Sequence, residues 1–151
     1  MKVSVLIIAH NEGHHIGECI ESLLFQTRKP NEIILINHNS SDDTGAVARG
    51  YPVRVIDYEG PHGPEHARIK GFEEVKSDII LCIDGDAIAH RKWIETMSDI
   101  LAEPGVVMAG SWIRMKGNWF LHLASWRWYL LTAFPHFCRR SDVGSEFRAS
   151  W

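Results

Sequence analysis

Cysteine is scarce in this 151-residue sequence: Cys19, Cys82 and Cys138 stand far apart and are odd in number. Neither a disulfide framework nor a zinc spacing follows, and reduced thiols in the core are expected. No run of ~20 uninterrupted apolar residues occurs, so no spanning helix is expected. The apolar stretch after Met1 has neither the length nor the cleavage site of a secretion signal. A basic excess is also missing. Sixteen Lys and Arg face 19 Asp and Glu, for a net charge of -3 and a pI near 6.3. That excludes the electrostatic footprint of a nucleic-acid binder. The nine histidines are scattered without metal-ligand spacing. Repeats and low-complexity segments are absent as well. At 45% hydrophobic and 23% charged, the chain can bury a core, and its length suits one domain. A cytoplasmic protein is the expectation.

What is present is a regular alternation. Residues 3–9 (VSVLIIA) form a β-branched apolar run, which predicts a strand buried on both faces. Ile16, Cys19, Ile20, Leu23 and Leu24 then recur at helical spacing. Strands are predicted at 33–36, 53–57, 78–83 and 106–111. Helices are predicted at 44–49, at 67–76 with Ile69, Phe72 and Val75 inward, and over the segment bearing Trp93, Ile94, Met97, Ile100 and Leu101. Such alternation predicts a mostly parallel α/β sheet, Rossmann-like, flanked by helices. Ligands of such sheets bind at the carboxyl ends of the strands. Three polar clusters fall there: His10-Asn11-Glu12, Asn37-His38-Asn39 and Asp84-Gly85-Asp86. The glycine- and proline-rich stretch 59–66 is expected at the same rim.

Asp84-Gly85-Asp86 carries the sharpest chemistry. Two carboxylates two residues apart, just past a buried strand, call for a cation between them. A divalent metal bound to a diphosphate supplies it, and Mg²⁺ and Mn²⁺ prefer oxygen ligands. Gly85 permits a tight turn and close approach. The triplet alone is also an ordinary turn sequence; its place after IILCI and before a helix favours the metal. Ala9 to Glu12 reads either as a strand-to-helix turn or as a wall beside a nucleotide base. Ser40, Ser41 and Asp42 suit helix caps. Arg68, early in its helix, is either a surface ion pair or a cation facing a base or diphosphate; His66 and Lys70 are weaker candidates. Asp57 reads as a turn residue.

In this order the motifs resemble the inverting glycosyltransferases of family 2, which have the GT-A fold. The matching pieces are VSVLIIAHNE (3–12), CIESLLFQT (19–27), IILINHNSSDDT (33–44) and HARIKGFEEVKSDIILCIDGD (66–86). The resemblance implies a nucleoside diphosphate sugar as donor, UDP-sugar favoured, and Mg²⁺ or Mn²⁺ as cofactor. Asp86 would bind the metal, and Asp84 the ribose or the metal shell. Ala9, His10 and Glu12 would line the nucleoside pocket, and Gly85 would lie within the site. Arg68 would contact base or diphosphate, and Asn37, His38 and Asn39 would read the base. The sequence departs from the pattern at Ile8, where proline is common, and at His10, where tyrosine is. Asn37-His38 stands where paired acids are common.

Residues 1–115 are expected to form the nucleotide-sugar-binding subdomain. Residues 116–151, rich in tryptophan, would begin the acceptor side. GSEFRASW (144–151) only begins to resemble the segment that precedes the family's general base. No base is identified, and Asp142 and Glu146 are poor substitutes. A fragment, or a binding domain without full catalysis, is therefore the alternative. Trp119, Trp126 and Trp128 allow either a buried helix or peripheral membrane contact through 119–134. The latter suggests a saccharide or lipid-linked acceptor and cell-envelope polysaccharide.

Overall fold

The computed structural model describes residues 1–110 and 138–139. The chain divides into two compact units, Met1–Ser98 and Asp99–Trp151. In order, the elements are β1 (Val3–Ala9), α1 (Ile16–Leu24), β2 (Glu32–His38), α2 (Thr44–Ala48), β3 (Arg54–Tyr58), α3 (Pro64–Glu74), β4 (Ile79–Asp84), α4 (Trp93–Leu101), β5 (Val106–Met108) and β6 (Cys138–Arg139). In the first unit four strands form a sheet in the order β3-β2-β1-β4, and every pairing is parallel. In the second, β5 pairs antiparallel with β6. The expected α/β architecture, a parallel sheet with flanking helices, is what the first unit displays. The tryptophan-rich stretch 119–134 lies outside the described residues. Among those described, no helix is long and apolar enough to cross a membrane.

β1 is central, and all seven of its residues are buried. Its apolar run therefore needs helices on both faces. α1 supplies one cover by burying Ile16, Cys19, Ile20 and Leu23, a stripe at helical spacing. Each large apolar side chain in that stripe contributes about 1.5–3 kcal/mol by leaving water. Gln26, just past the end of α1, is a buried tie. Its Nε2 donates to Ser22 O at 3.0 Å and His90 O at 2.8 Å, and its Oε1 accepts from Ile94 N at 3.0 Å. The amide is thus satisfied, and it joins α1 to the start of α4.

The opposite face is covered by α3, and here the structure departs from expectation. The inward residues are Ala67 and Gly71, whereas Ile69 is 56% and Phe72 48% exposed. Leu6, Ile8, Ile34, Ile36 and Ala67 form one buried cluster. A Cβ on Gly71 would stand 2.4 Å from a Leu6 methyl. Close approach of helix to sheet thus demands small residues four apart, and it turns the larger side chains outward. β4 departs too. Among the described residues it is one of the two edge strands of this sheet, and α3 lies over β1 and β2. Cys82 on β4 is consequently exposed, while Cys19 is buried as expected.

The loops after β1 and β2 are stitched together. Asn11 N donates to Ser40 Oγ at 3.0 Å, and Asn11 Oδ1 accepts from Ser41 N at 2.8 Å. Glu12 N donates to Thr44 Oγ1 at 2.8 Å, and Gly13 N to Asp42 Oδ2 at 2.9 Å. Asn11 and Asn39 both adopt positive φ, 56° and 50°. Asparagine tolerates that conformation better than most residues. Ser40 and Ser41 serve this lock, while Asp42 serves both lock and cap: its Oδ1 accepts from Thr44 N, at the first residue of α2, at 3.0 Å, and Asp43, which precedes α2, makes no side-chain cap bond.

Two stability tests follow from this packing. Gly71→Val should cost about 1–3 kcal/mol in urea unfolding through overpacking against Leu6. Phe72→Ser on the exposed face should change stability by less than about 0.5 kcal/mol. The reverse ranking would show that α3 is rotated. Asp42 is held below the usual carboxylate range, first by the Thr44 hydroxyl and then by Gly13 N–H. A depressed carboxylate stabilises the fold above its unfolded pKa and loses that contribution as pH falls through the folded value. The stability gap between wild type and Asp42→Ala should therefore shrink below about pH 4. A gap that stays constant in thermal melts from neutral to acid pH refutes the lock.

Candidate functional site

Parallel pairing places the ends of β1, β2 and β4 side by side. Ala9 lies opposite Asn37, and Ile8 opposite Asp84. All three polar clusters therefore meet at one rim, as such sheets favour for ligands. β2 runs two residues beyond the expected strand, so Asn37 and His38 are strand residues rather than loop. Alternation along the strand then separates them.

His38 shares the α3 face with Ile34 and Ile36. There a pocket of about 140 Å³ is lined by Ile8, His10, His38, Asn39, His62, Gly63 and Pro64. His38 is 4% exposed and stacks on Tyr58, with ring centroids 5.3 Å apart. The His10 Nδ1–H donates to the His38 carbonyl at 2.8 Å. Asn39 reaches the Gly-Pro loop, where Nδ2 donates to Gly60 O at 2.9 Å and Oδ1 accepts from Gly60 N at 3.1 Å. The stretch 59–66 thus stands at the same rim.

Asn37 points to the opposite face. Its Nδ2 donates to Asp57 Oδ1 at 2.8 Å, and its Oδ1 is buried without a partner. Asp57 is therefore no turn residue. It sits on β3, paired with Arg49, and a Cβ on Gly45 would lie 2.7 Å from Asn37 Nδ2. The expected trio of Asn37, His38 and Asn39 splits into two at the pocket and one behind the sheet.

The carboxylates lie on the other side of β1. Gly85 N donates to Ile8 O at 2.9 Å. A Cβ on Gly85 would meet the Ala9 Cβ at 3.0 Å and the Glu12 Cγ at 3.3 Å. A side chain at Gly85 would crowd the first loop, so glycine lets this turn press against it. Ala9, Glu12, Gly85 and Asp86 are thereby brought together. Burial, and next the charge of Asp86, raise the Glu12 carboxyl above its usual range. Burial, with the charges of Asp86 and Asp84 adding to it, pushes the Cys19 thiol up to about 12. Cys19 is thus a neutral thiol that donates to Asp84 O at 3.6 Å.

Arg68 Nη2 pairs with Asp84 Oδ1 at 3.1 Å, with the two side chains 38% and 58% exposed. Such an open pair contributes little stability and is readily exchanged for another partner. Lys70 turns away to Glu74. Among the described residues no cation pairs with Asp86, and no three His, Cys, Asp or Glu side chains form a metal cage by themselves. A larger cavity of about 430 Å³ lies among Glu32, Arg54, Glu73, Glu74 and Lys76. Glu32 and Arg54 begin β2 and β3, so it opens at the opposite rim, away from all three clusters.

Sequence reasoning missed Ile8 as a pocket residue, and it set the stretch 59–66 at the rim without singling out His62, Gly63 and Pro64. The one available signal was the glycine-proline composition around His62. It also missed the Asn37–Asp57 bond, which depends on strand register.

With this geometry in view, relatives are informative. The model of the family described as Glycosyl transferase family 2 matches residues 4–146. Glycosyltransferase GlyG of Streptococcus pneumoniae is 28% identical over 130 residues, covering 80% of this chain and 43% of GlyG. Among solved structures, Staphylococcus aureus TarS 1–349 in complex with UDP superposes with a TM-score of 0.63 at 18% identity, over 78% of this chain and 38% of that one. Glucosyl-3-phosphoglycerate synthase from Mycobacterium tuberculosis, in complex with Mn²⁺, UDP and phosphoglyceric acid, gives 0.62 at 24% identity, over 70% and 40%. The chain spans less than half the length of each of these three proteins. The structural likeness carries the GT-A fold, and the family match carries membership: this chain belongs to glycosyl transferase family 2.

Proposed function

We propose that this chain is the nucleotide-sugar-binding portion of a glycosyltransferase. The enzyme would move a sugar from a nucleoside diphosphate sugar, UDP-sugar favoured, to an acceptor hydroxyl with inversion. The observation that carries this reading is the contact of Gly85 with Ala9 and Glu12, which gathers acids from two strand ends.

The donor set fits a divalent ion. Burial, and next the charge of Asp86, raise Glu12, so a cation beside these acids would be favoured. Asp84 and Asp86 offer hard oxygen ligands, suited to Mg²⁺ or Mn²⁺ with its remaining positions open to phosphate oxygens. Such an ion would offset the charge that develops on the departing diphosphate. The rest of the work falls to the chain. Arg68, in an exposed pair with Asp84, is free to turn to the diphosphate as a second cation. The pocket on the α3 face would hold the base, with His10 and His38 as its walls. Asn37, behind the sheet, would support β2 through Asp57 rather than touch the nucleotide. Residues 116–151 would begin the acceptor side, meeting a saccharide or lipid-linked hydroxyl. A carboxylate must deprotonate that hydroxyl, and no described residue is assigned the task.

Titration calorimetry with UDP and Mn²⁺ tests the site. Asp86→Ala should weaken metal-dependent UDP binding by about tenfold or more, as expected for the loss of a charged partner. Affinity equal to wild type would sink the assignment of Asp86.

A further inference from the structure

Beyond β4 the backbone runs irregularly from Gly85 to the start of α4 at Trp93. Its polar groups need partners that no strand ladder supplies. The acidic triplet forms a tight turn, closed by Ala87 N donating to Asp84 O at 3.1 Å. Side chains of α1 and of the residues just past it hold this stretch. Cys19 Sγ–H donates to Asp84 O at 3.6 Å, where the turn begins. Ser22 Oγ accepts from Ala89 N at 2.9 Å, where the chain leaves the turn. Gln26 Nε2 donates to His90 O at 2.8 Å, and Thr27 N donates to Arg91 O at 2.9 Å. Positions 19, 22 and 26 recur at helical spacing, so one face of the helix lies along the segment.

Ser22 is the best-defined link in this rail. Its hydroxyl proton is committed to Cys19 O at 2.7 Å. The oxygen is thereby left to accept, and the Ala89 N–H meets it. The same helix also fixes the first loop, since His15 N and Ile16 N donate to Glu12 O at 2.9 and 2.8 Å. Glu12 at the entry to α1 and the acidic turn along its flank are thus referenced to one element. An ion such as Mg²⁺ demands near-ideal geometry from its oxygen ligands. Asp86 is exposed, so its place is set chiefly by the backbone that carries it.

We propose that Ser22 is a positioning residue for the metal–diphosphate site: through the Ala89 N–H it fixes the exit of the acidic turn, and so the place at which Asp86 presents its carboxylate. This rests on the reading of Asp86 as a metal ligand. Removing the hydroxyl deprives the Ala89 N–H of its acceptor and loosens the chain between the turn and the Gln26 tie. Threonine keeps a hydroxyl that can bond a carbonyl one turn back in a helix, so it retains the link. Ser22 touches neither ion nor nucleotide, and its effect passes through Asp86.

Calorimetry of UDP on the whole chain, with and without Mn²⁺, reads the effect. Ser22→Ala should weaken the Mn²⁺-dependent part of UDP binding by about three- to tenfold, as for the loss of one hydrogen bond, and Ser22→Thr should restore it. In an Asp86→Ala background the further change from Ser22→Ala should be less than about twofold, because the carboxylate it places is gone. In the wild type, the Ala89 amide should exchange its hydrogen at least about tenfold more slowly than an unstructured peptide. Three results overturn this inference alone: Asp86→Ala weakens Mn²⁺-dependent binding while a folded Ser22→Ala variant does not; the two losses simply add; or the Ala89 amide exchanges freely. The last is read on the wild type and needs no variant to fold. Mn²⁺-dependent binding by Asp86→Ala equal to wild type overturns the metal-ligand reading, and this inference with it.

Discussion

Parallel pairing of β1 with β2 on one side and β4 on the other is the constraint from which the rest of the rim follows. Because the three strands run the same way, their carboxyl ends share one edge. Residues separated by as many as 76 positions, from His10 to Asp86, are thereby brought to the same rim. β1 holds this position because it is apolar at every position but Ser4 and buried on both faces. Its neighbours are fixed in register by the same hydrogen bonds that satisfy its backbone.

Two contacts then give the rim its detail. Between β1 and β4, the absent side chain of Gly85 lets the acidic turn press on Ala9 and Glu12. Between β1 and β2, Asn11 bridges to Ser40 and Ser41 while Asp42 and Thr44 take the amides of Gly13 and Glu12. The carboxyl of Glu12 is raised first by burial and next by the charge of Asp86, so the grouping is held at some electrostatic cost. Stability spent in this way is common where a ligand of opposite charge is to be received.

Much of this was legible beforehand. β1 runs over Val3–Ala9 as its β-branched run predicted, and α1 buries its predicted stripe. The gathering of three polar clusters followed from the α/β alternation alone. The misreadings share one cause, which is the direction of side chains. The size and apolar character of Ile69 and Phe72 predict an inward position, yet Ala67 and Gly71 face the sheet because the helix approaches too closely for bulk. Asn37 and His38 were grouped by adjacency, yet a strand sends neighbours to opposite faces.

The sequence by itself determined the kind of element at each place, the parallel sheet, and the set of polar residues at its carboxyl edge. Local period and composition encode these, since burial of a stripe or a run is decided by neighbours close in the chain. Only the tertiary structure decided which of those residues meet. His38 joins His10 and the 59–64 loop, Asn37 turns to Asp57, and Asn39 bonds to Gly60. Strand register and helix approach fix these encounters. Both arise from packing between distant segments, which no local pattern records.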